Sequence, residues 1–162
     1  ARSRGLGDVY KRQPLEKSLS VLVDQEWLGK MAYWEDDKID RIIEDFWPGP
    51  LTLVLPARRE LPEFLKGPNQ TIALRWSSSS VVQEMIKLGE CPLIGTSANL
   101  SGMPSCSSSA EVVEQFGDQT PLLVDSGVLP ENPPTTLLDC TRTPFSFIRS
   151  GSIDQKILED YI

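Results

Sequence analysis

A run of small polar residues between Pro92 and Ser105, PLIGTSANLSGMPS, is the first feature of the sequence that could bind a ligand. It carries no charged residue and offers hydroxyl and amide groups, among them Ser97 and Asn99, with Ser107 following shortly afterwards. Such side chains bind anions together with exposed backbone N–H groups. An ordinary capped turn has the same composition, so the stretch by itself leaves both interpretations open.

Two arginines favour the first interpretation. Arg75 lies in the segment TIALRW, where Thr71, Ala73 and Arg75 alternate with apolar residues and so share one side of an expected strand. We expect that side to be polar and sparsely filled, so that the guanidinium could hold a carboxylate or phosphate bidentately. Arg149 stands at the end of a later expected strand and suits the same role. A solvated or salt-bridged arginine is the alternative at both positions.

A pair of threonines adds two more hydroxyls. Thr135 and Thr136 follow Pro133 and Pro134, which stiffen the approach to an expected strand. We expect both hydroxyls to be exposed at the start of that strand, although β-propensity alone would also place threonines there.

The residue types that the chain lacks limit the chemistry further. There is no histidine, and the three cysteines form no C-x-x-C pair. A Cys/His zinc site, a Ser-His-Asp triad and a Cys-His dyad are therefore excluded. We expect no covalent catalytic residue and no protein-bound metal; arginines and hydroxyls suit chemistry done by positioning and charge stabilisation. The net charge of −7 argues against a broad nucleic-acid-binding face.

Apolar patterns predict the elements that must position these side chains. Strands are expected at Ser18–Val23, Leu51–Pro56 and Thr71–Trp76, and in CPLIGT, PLLVD, TTLLDC and FSFIRS. Helices are expected after Asp24, after Asp36 or Asp37, after Ser79 or Ser80, after the capping box of Ser108 and Glu111, and near Asp154–Tyr161. The second helix has apolar residues at i, i+3, i+4 and i+7, namely Ile39, Ile42, Ile43 and Phe46. Strands alternating with helices predict a single α/β domain.

The run PLIGTSANLSGMPS lies between one of these strands and the helix that begins near Ser108. Ligands of α/β proteins bind preferentially at such junctions, where the N–H groups of a helix terminus face outward. Gly95 and Gly102 would let the backbone turn tightly or approach a ligand closely.

The first residues of the chain differ from the rest. Residues 1–13, ARSRGLGDVYKRQ, hold four basic residues and one acid, and DVYKRQ is also the translation of a common sequencing adapter. We therefore expect residues 1–13 to be non-native and residues 14–162 to form the domain; a genuine basic arm is the alternative.

No apolar run approaches the roughly 20 residues that span a bilayer, and no signal-peptide core is seen in the sequence as given. We therefore expect a cytoplasmic protein without a membrane partner.

Six blocks occur in order and together resemble the YrdC family, the threonylcarbamoyl-AMP synthases. They are FWPGPLTLVLPA (46–57), TIALRW, GTSANLSGMPS, LLVDSG (122–127), TTLLD (135–139) and IRSG (148–151). The resemblance covers residues 14–151 and implies a twisted, mixed α/β sheet flanked by helices, with a concave, locally positive pocket.

The resemblance also implies a reaction. L-threonine, bicarbonate and ATP would give L-threonylcarbamoyl-AMP and pyrophosphate, with Mg²⁺ accompanying the nucleotide. The product would pass to a separate transferase that modifies position 37 of tRNA, so little direct RNA binding is expected. L-threonine would contact Arg75 through its carboxylate, and also Ser97 and Thr135. ATP would contact Thr71, Asn99, Ser107 and Arg149, the last on the phosphates.

The chain departs from the family pattern near its start. The family opens with a strand and helix carrying T-x-Y-G-L and then K-x-R-P. Here Pro14 matches the proline, but Gln13 replaces the arginine, and Lys11 falls in the segment suspected of being adapter. We expect the domain to lack this strand–helix portion, and the chain as written to bind ATP poorly and turn over slowly or not at all.

Two other functions fit the same resemblance. One is a non-catalytic YrdC-like module that binds a nucleotide or structured RNA, against which the acidic composition argues. The other is the carbamoyl-adenylate-forming module of a hydrogenase-maturation protein. Replacing threonine with carbamoyl phosphate in an assay would separate the second from a threonylcarbamoyl-AMP synthase.

Overall fold

The computed structural model describes residues 19–100, 102–120 and 122–162. The expectation for residues 1–13 lies outside these ranges. The described residues belong to two compact units, the first formed by residues 19–95 and 134–162 and the second by residues 96–133.

A mixed sheet of six strands forms the first unit. The strands are β1 (Ser20–Leu22), β2 (Leu51–Pro56), β3 (Thr71–Arg75), β4 (Leu93–Gly95), β5 (Thr136–Asp139) and β6 (Ser146–Arg149). Their order across the sheet is β4-β1-β3-β2-β5-β6. The pairs β1–β3 and β2–β5 are parallel, and the other three pairs are antiparallel. The predicted α/β class with a mixed sheet is confirmed.

Five α-helices lie within the described residues. They are α1 (Gln25–Met31), α2 (Asp37–Phe46), α3 (Ser80–Gly89) and α5 (Gln155–Leu158) in the first unit, and α4 (Ser109–Phe116) in the second. Each is preceded by an N-cap side chain that accepts a hydrogen bond from a first-turn N–H: Asp24, Asp36, Ser79, Ser108 and Asp154. The caps predicted at Asp24 and Ser108 are confirmed, and the structure selects Asp36 and Ser79 from the predicted alternatives. Across the described ranges, no helix has both the length and the apolar character that crossing a bilayer requires.

The main core joins one face of the sheet to α1, α2 and α5. In α2 the predicted apolar face is confirmed, because Ile39 and Ile42 are buried and Ile43 and Phe46 pack against the core. The strands supply the other side of this core, namely Val21, Leu51, Leu53, Leu55, Ile72, Leu74 and Leu138. Full burial of each such aliphatic side chain contributes about 1.5–3 kcal/mol.

The opposite face of the sheet differs from the prediction. We expected the side of β3 that carries Ala73 to be polar and sparsely filled, but Ala73 is buried in an apolar cluster with Val54 and Leu137, against which Ile148 packs. Alternation within one strand could not show this, because the neighbouring strands β2 and β5 supply two of the apolar side chains. Polar side chains of this face lie on either side of the cluster, as Thr71 and Arg75 do at the two ends of β3.

Strand direction brings four of these polar side chains to one end of the sheet. Because β2 and β3 are antiparallel while β2 and β5 are parallel, the end of β3 lies beside the starts of β2 and β5. The end of β6 lies there too, since β6 is antiparallel to β5. This end therefore collects Thr52, Arg75, Thr135 and Arg149.

Two local predictions were wrong. No strand forms over residues 122–125, where Leu122 and Val124 are exposed; apolar residues form a strand only where a neighbouring strand pairs with them. Thr136 is fully buried, and its hydroxyl group hydrogen-bonds to the backbone N–H and carbonyl of Ile153, so only Thr135 of this pair keeps some exposure.

Candidate functional site

Arg75 lies at the end of β3 and is half-buried. Its Nε donates a hydrogen bond to the carbonyl oxygen of Gly49 at 3.2 Å. Burial lowers the pKa of the Arg75 guanidinium from its ordinary value. Among the described residues, no carboxylate pairs with this cation and its terminal nitrogens have no hydrogen-bond partner. A partly desolvated cation with two unpaired nitrogens is suited to bind an anionic ligand.

Gly49 holds the turn that positions Arg75. A Cβ atom at this residue would stand 2.2 Å from the carbonyl oxygen of Phe46, so only glycine fits against the last turn of α2. The N–H of Gly49 donates to the carbonyl of Trp76 at 2.8 Å, which ties the turn to the residue after Arg75. The sequence analysis did not assign this role to Gly49. Its signal in the sequence is a glycine between two prolines, Pro48 and Pro50.

Arg149 and Thr135 are in direct contact. Nη2 of Arg149 donates to the carbonyl oxygen of Thr135 at 3.0 Å and to its hydroxyl oxygen at 3.2 Å, and Nε donates to the same carbonyl at 3.3 Å. Glycine at position 151 allows this segment to pack directly against the backbone before β5, because a Cβ there would lie 2.2 Å from the carbonyl oxygen of Pro134. The residue that we expected to bind threonine is thus held by the one that we expected to bind phosphate.

Thr52 is a site residue that sequence reasoning missed. It lies at the start of β2, where Thr136 of β5 pairs with Leu51, and is only 3% exposed. Its Oγ1 lies 3.0 Å from Oγ1 of Thr135. The signal in the sequence was a single polar residue within an otherwise apolar strand, LTLVLP.

Thr71 lies at the other end of β3 from Arg75. The strand has five residues, so Thr71 and Arg75 stand four steps apart and their Cα atoms are roughly 13 Å apart at about 3.3 Å per residue. The Thr71 hydroxyl donates to the carbonyl of Pro68 at 2.9 Å, and the residue is buried. This hydroxyl can still accept a hydrogen bond from a ligand, but it cannot donate one, because its proton is bonded to Pro68.

In the second unit, residues 96–100 and 102–105 of this run lie around Asn99. The Nδ2 of Asn99 donates to the carbonyls of Leu100 and Met103, both at 3.0 Å, and the N–H of Met103 donates to Leu100 at 2.9 Å. Gly102 adopts φ +87°, a left-handed conformation that favours glycine. The Oδ1 of Asn99 is buried and has no hydrogen-bond partner among the described residues, while Ser97 is exposed. A ligand that donates hydrogen bonds would satisfy this Oδ1.

Ser107 interacts with the first turn of α4. Its N–H donates to the Glu111 carboxylate at 2.7 Å, and its hydroxyl lies 3.2 Å from the same group. Ser108 caps the helix as expected, but Glu111 bonds back to Ser107 instead of to the cap residue. Ser107 also borders an open cavity of about 580 Å³ whose other walls include residues 129–133.

A second acid lies at the start of α4. The Asp125 carboxylate accepts hydrogen bonds from the N–H of Gly127 at 2.8 Å and the hydroxyl of Ser109 at 3.0 Å. These two bonds lower the pKa of Asp125, the bond from Gly127 contributing most. The carboxylate therefore stays ionised and tethers residues 125–127 to the helix within the second unit.

The first unit thus brings three of the predicted residues, Arg75, Thr135 and Arg149, to one end of its sheet and leaves Thr71 at the other end. Strands β3 and β6 stand three positions apart in the sheet, or about 14 Å at a spacing of about 4.8 Å. The two guanidinium groups therefore start from well-separated strands and suit two anionic groups of one or two ligands. Ser97, Asn99 and Ser107 belong to the second unit.

Known proteins are similar to this chain in sequence and fold. The family model for Sua5, YciO and YrdC proteins, described as "Telomere recombination", matches residues 9–151. A threonylcarbamoyl-AMP synthase of Pyrococcus abyssi is 31% identical over 153 residues, which make up 94% of this chain and 45% of that protein. A threonylcarbamoyl-AMP synthase of Klebsiella pneumoniae is 38% identical over 117 residues, covering 70% of this chain and 61% of that protein.

A solved structure agrees with these relatives. The crystal structure of P. abyssi Sua5 complexed with L-threonine superposes with a TM-score of 0.82 at 30% identity, covering 93% of this chain and 44% of that one. The chain therefore spans about half of the length of the archaeal relative and about three fifths of the bacterial one. With a family model that matches most of the sequence, the chain belongs to the Sua5/YciO/YrdC family.

Proposed function

We propose that the protein to which this chain belongs synthesises L-threonylcarbamoyl-AMP from L-threonine, bicarbonate and ATP. The observation that carries this proposal is that Arg75, partly desolvated and without a carboxylate partner among the described residues, lies at the same end of the sheet as the Thr135–Arg149 pair. The names of the relatives and the threonine complex of P. abyssi Sua5 support it.

In this proposal the threonine substrate is bound by Arg75, Thr135 and Ser97. The two unpaired nitrogens of Arg75 match the two oxygens of a carboxylate, because a guanidinium and a carboxylate form two parallel hydrogen bonds. Thr135 and Ser97 would supply hydroxyl groups that also contact the bound amino acid.

ATP would be bound by Arg149, Thr71, Asn99 and Ser107. Arg149 keeps Nη1 without a hydrogen-bond partner in the described part of the chain, and so can add a phosphate contact without releasing Thr135. The other three suit the nucleoside better than the phosphates. Thr71 and Asn99 each offer an acceptor oxygen, whereas Ser107 lies against the anionic Glu111.

The chemical step needs positioning and charge stabilisation. The threonine amino group and bicarbonate give a carbamate and water; a carbamate oxygen then attacks the α-phosphorus of ATP, and the bond to the β-phosphate oxygen breaks to release pyrophosphate. Negative charge accumulates on the leaving group, and a fixed guanidinium such as Arg149 stabilises it without reorganising. No side chain of this chain forms a covalent bond in this step.

Mg²⁺ would enter with the nucleotide. Within the described ranges, no three Cys, Asp or Glu side chains converge in a way that could hold a metal ion. Triphosphate oxygens and water are ligands that Mg²⁺ prefers, so we propose that the ion is held mainly by ATP. The product would pass to a separate transferase acting on tRNA, in the cytoplasm.

The proposal is tested by measuring L-threonine and ATP binding to this chain by calorimetry, together with pyrophosphate release. Binding is included because the sequence predicts slow turnover of the chain as written. We expect L-threonine to bind and to be required for any pyrophosphate release in the presence of bicarbonate and MgATP. Carbamoyl phosphate replacing threonine as the effective substrate, or no binding of threonine at all, would overturn the proposal.

A further inference from the structure

Thr52 places a hydroxyl group where an apolar side chain would fit. It is buried beside Val54 and Leu137 on β2 and β5, and valine has nearly the same shape as threonine. The hydroxyl contacts one polar group among the described residues, the Oγ1 of Thr135, which lies 83 positions later in the sequence.

The direction of this hydrogen bond follows from counting protons. Arg149 already donates to the Thr135 hydroxyl oxygen. If Thr135 in turn donated to Thr52, the proton of Thr52 would be buried with no acceptor among the described residues, which is unfavourable. If Thr52 donates instead, the Thr135 oxygen accepts hydrogen bonds from both Thr52 and Arg149. Thr135 is half-buried, so its own O–H can still donate to solvent or to a ligand.

We propose that Thr52 is a positioning residue that makes the Thr135 hydroxyl a hydrogen-bond donor to the bound amino acid. Two donors, Thr52 and Arg149, occupy the lone pairs of Thr135, so its proton must point out of the cluster. The ligand atom that it meets is an acceptor, and Arg75 at the same end of the sheet favours an anionic one. This inference rests on the proposed function. It adds that Thr135 is the donor in its hydrogen bond with the bound threonine.

The substitution Thr52→Val tests the proposal because it removes the hydroxyl and keeps the shape. We expect the dissociation constant for L-threonine to rise about tenfold, since one net hydrogen bond is lost, and that for ATP to change less than twofold. Thr52→Ser keeps the hydroxyl, so its affinity for L-threonine should stay within about threefold of that of the unsubstituted chain. A merely structural role would not separate threonine from ATP in this way.

A double-substitution cycle shows whether Thr52 acts through Thr135. Once Thr135→Val has removed the donor, adding Thr52→Val should cost no further threonine affinity; additive losses would overturn the proposal. Thr136→Val is the matched control, because it removes a buried hydroxyl one residue away on the opposite face of β5. It should lower the melting temperature and leave threonine affinity unchanged.

The outcomes separate this proposal from the proposed function. If the unsubstituted chain binds L-threonine and Thr52→Val binds it equally well, the positioning role is wrong and the function stands. If the unsubstituted chain binds no L-threonine and releases no pyrophosphate, the proposed function is wrong, and the role of Thr52 falls with it. A selective, Thr135-dependent loss of threonine affinity supports both.

Discussion

Arg149 and Thr135 form a single hydrogen-bonded unit, in which one guanidinium nitrogen donates to both the carbonyl oxygen at 3.0 Å and the hydroxyl oxygen at 3.2 Å. The sequence resemblance assigns these residues to different substrates. If Thr135 binds threonine and Arg149 binds ATP, as we propose, their contact couples the two sites, so a change at Arg149 should affect both ligands unequally.

Arg149→Ala should weaken ATP binding by about 10- to 100-fold, since hydrogen bonds to charged groups contribute about 1.5–3 kcal/mol. L-threonine binding should weaken by a smaller factor, because Thr135 loses the three hydrogen bonds from Arg149 that fix it. Calorimetric titration with each ligand measures the two effects. Arg149→Lys should recover part of the ATP affinity through its charge. A loss of threonine affinity that exceeded the loss of ATP affinity would contradict the assignment.

Arg75→Ala should produce the reverse order, with L-threonine weakened about 10- to 100-fold and ATP much less. Arg75→Lys should recover little, because lysine lacks both the planar fork and the Nε that donates to Gly49. Titration of L-threonine measures the effect. Arg142→Ala, which changes an exposed arginine between β5 and β6, is the matched control and should leave both affinities unchanged. Equal losses for the two ligands at Arg75 would show that it does not hold the threonine carboxylate.

Gly151→Ala should destabilise the first unit by roughly 3 kcal/mol. The new Cβ would lie 2.2 Å from the Pro134 carbonyl oxygen and 2.4 Å from backbone atoms of Thr135 and Thr136, none of which is a flexible side chain. Urea unfolding followed by circular dichroism measures the change. Gly29→Ala is the control, because nothing lies within 4 Å of its added Cβ within α1, and the substitution should stabilise by about 0.5–1 kcal/mol. Equal stability of the two variants would disprove the close approach at Gly151.

Tyr161 should make stability depend on pH in the alkaline range. Its hydroxyl donates to the Asp45 carboxylate, and this hydrogen bond is the main cause that raises the pKa of the phenol. A raised folded-state pKa means that the stabilisation is complete below the unfolded pKa of about 10 and disappears as pH rises through the folded pKa. The melting temperature of the unsubstituted chain, minus that of Tyr161→Phe, should therefore be constant from about pH 7 to about pH 9 and decrease above about pH 10. A difference independent of pH would mean that Tyr161 and Asp45 are not bonded in solution.

The sequence by itself determined the local elements. Asp24, Asp36 and Ser108 cap their helices because a side-chain oxygen within three residues can reach a first-turn N–H wherever the chain begins to turn. Apolar spacing alone placed Ile39 and Ile42 in the core. The ordered family blocks also marked Arg75, Thr135 and Arg149 as site candidates, because each of these residues lies in a block that resembles a motif of the family.

The tertiary structure decided which of these elements pair and which side chains come into contact. Residues 122–125 have the composition of a strand but no partner strand among the described residues, and strand formation depends on pairing with another segment. Thr52 reaches Thr135 only because β2 and β5 pair in parallel with one register, and Gly49 reaches Arg75 only because β3 returns antiparallel beside β2. Such long-range contacts depend on strand order, which no local pattern encodes. The direction that we propose for the Thr52–Thr135 hydrogen bond therefore depends on the folded sheet.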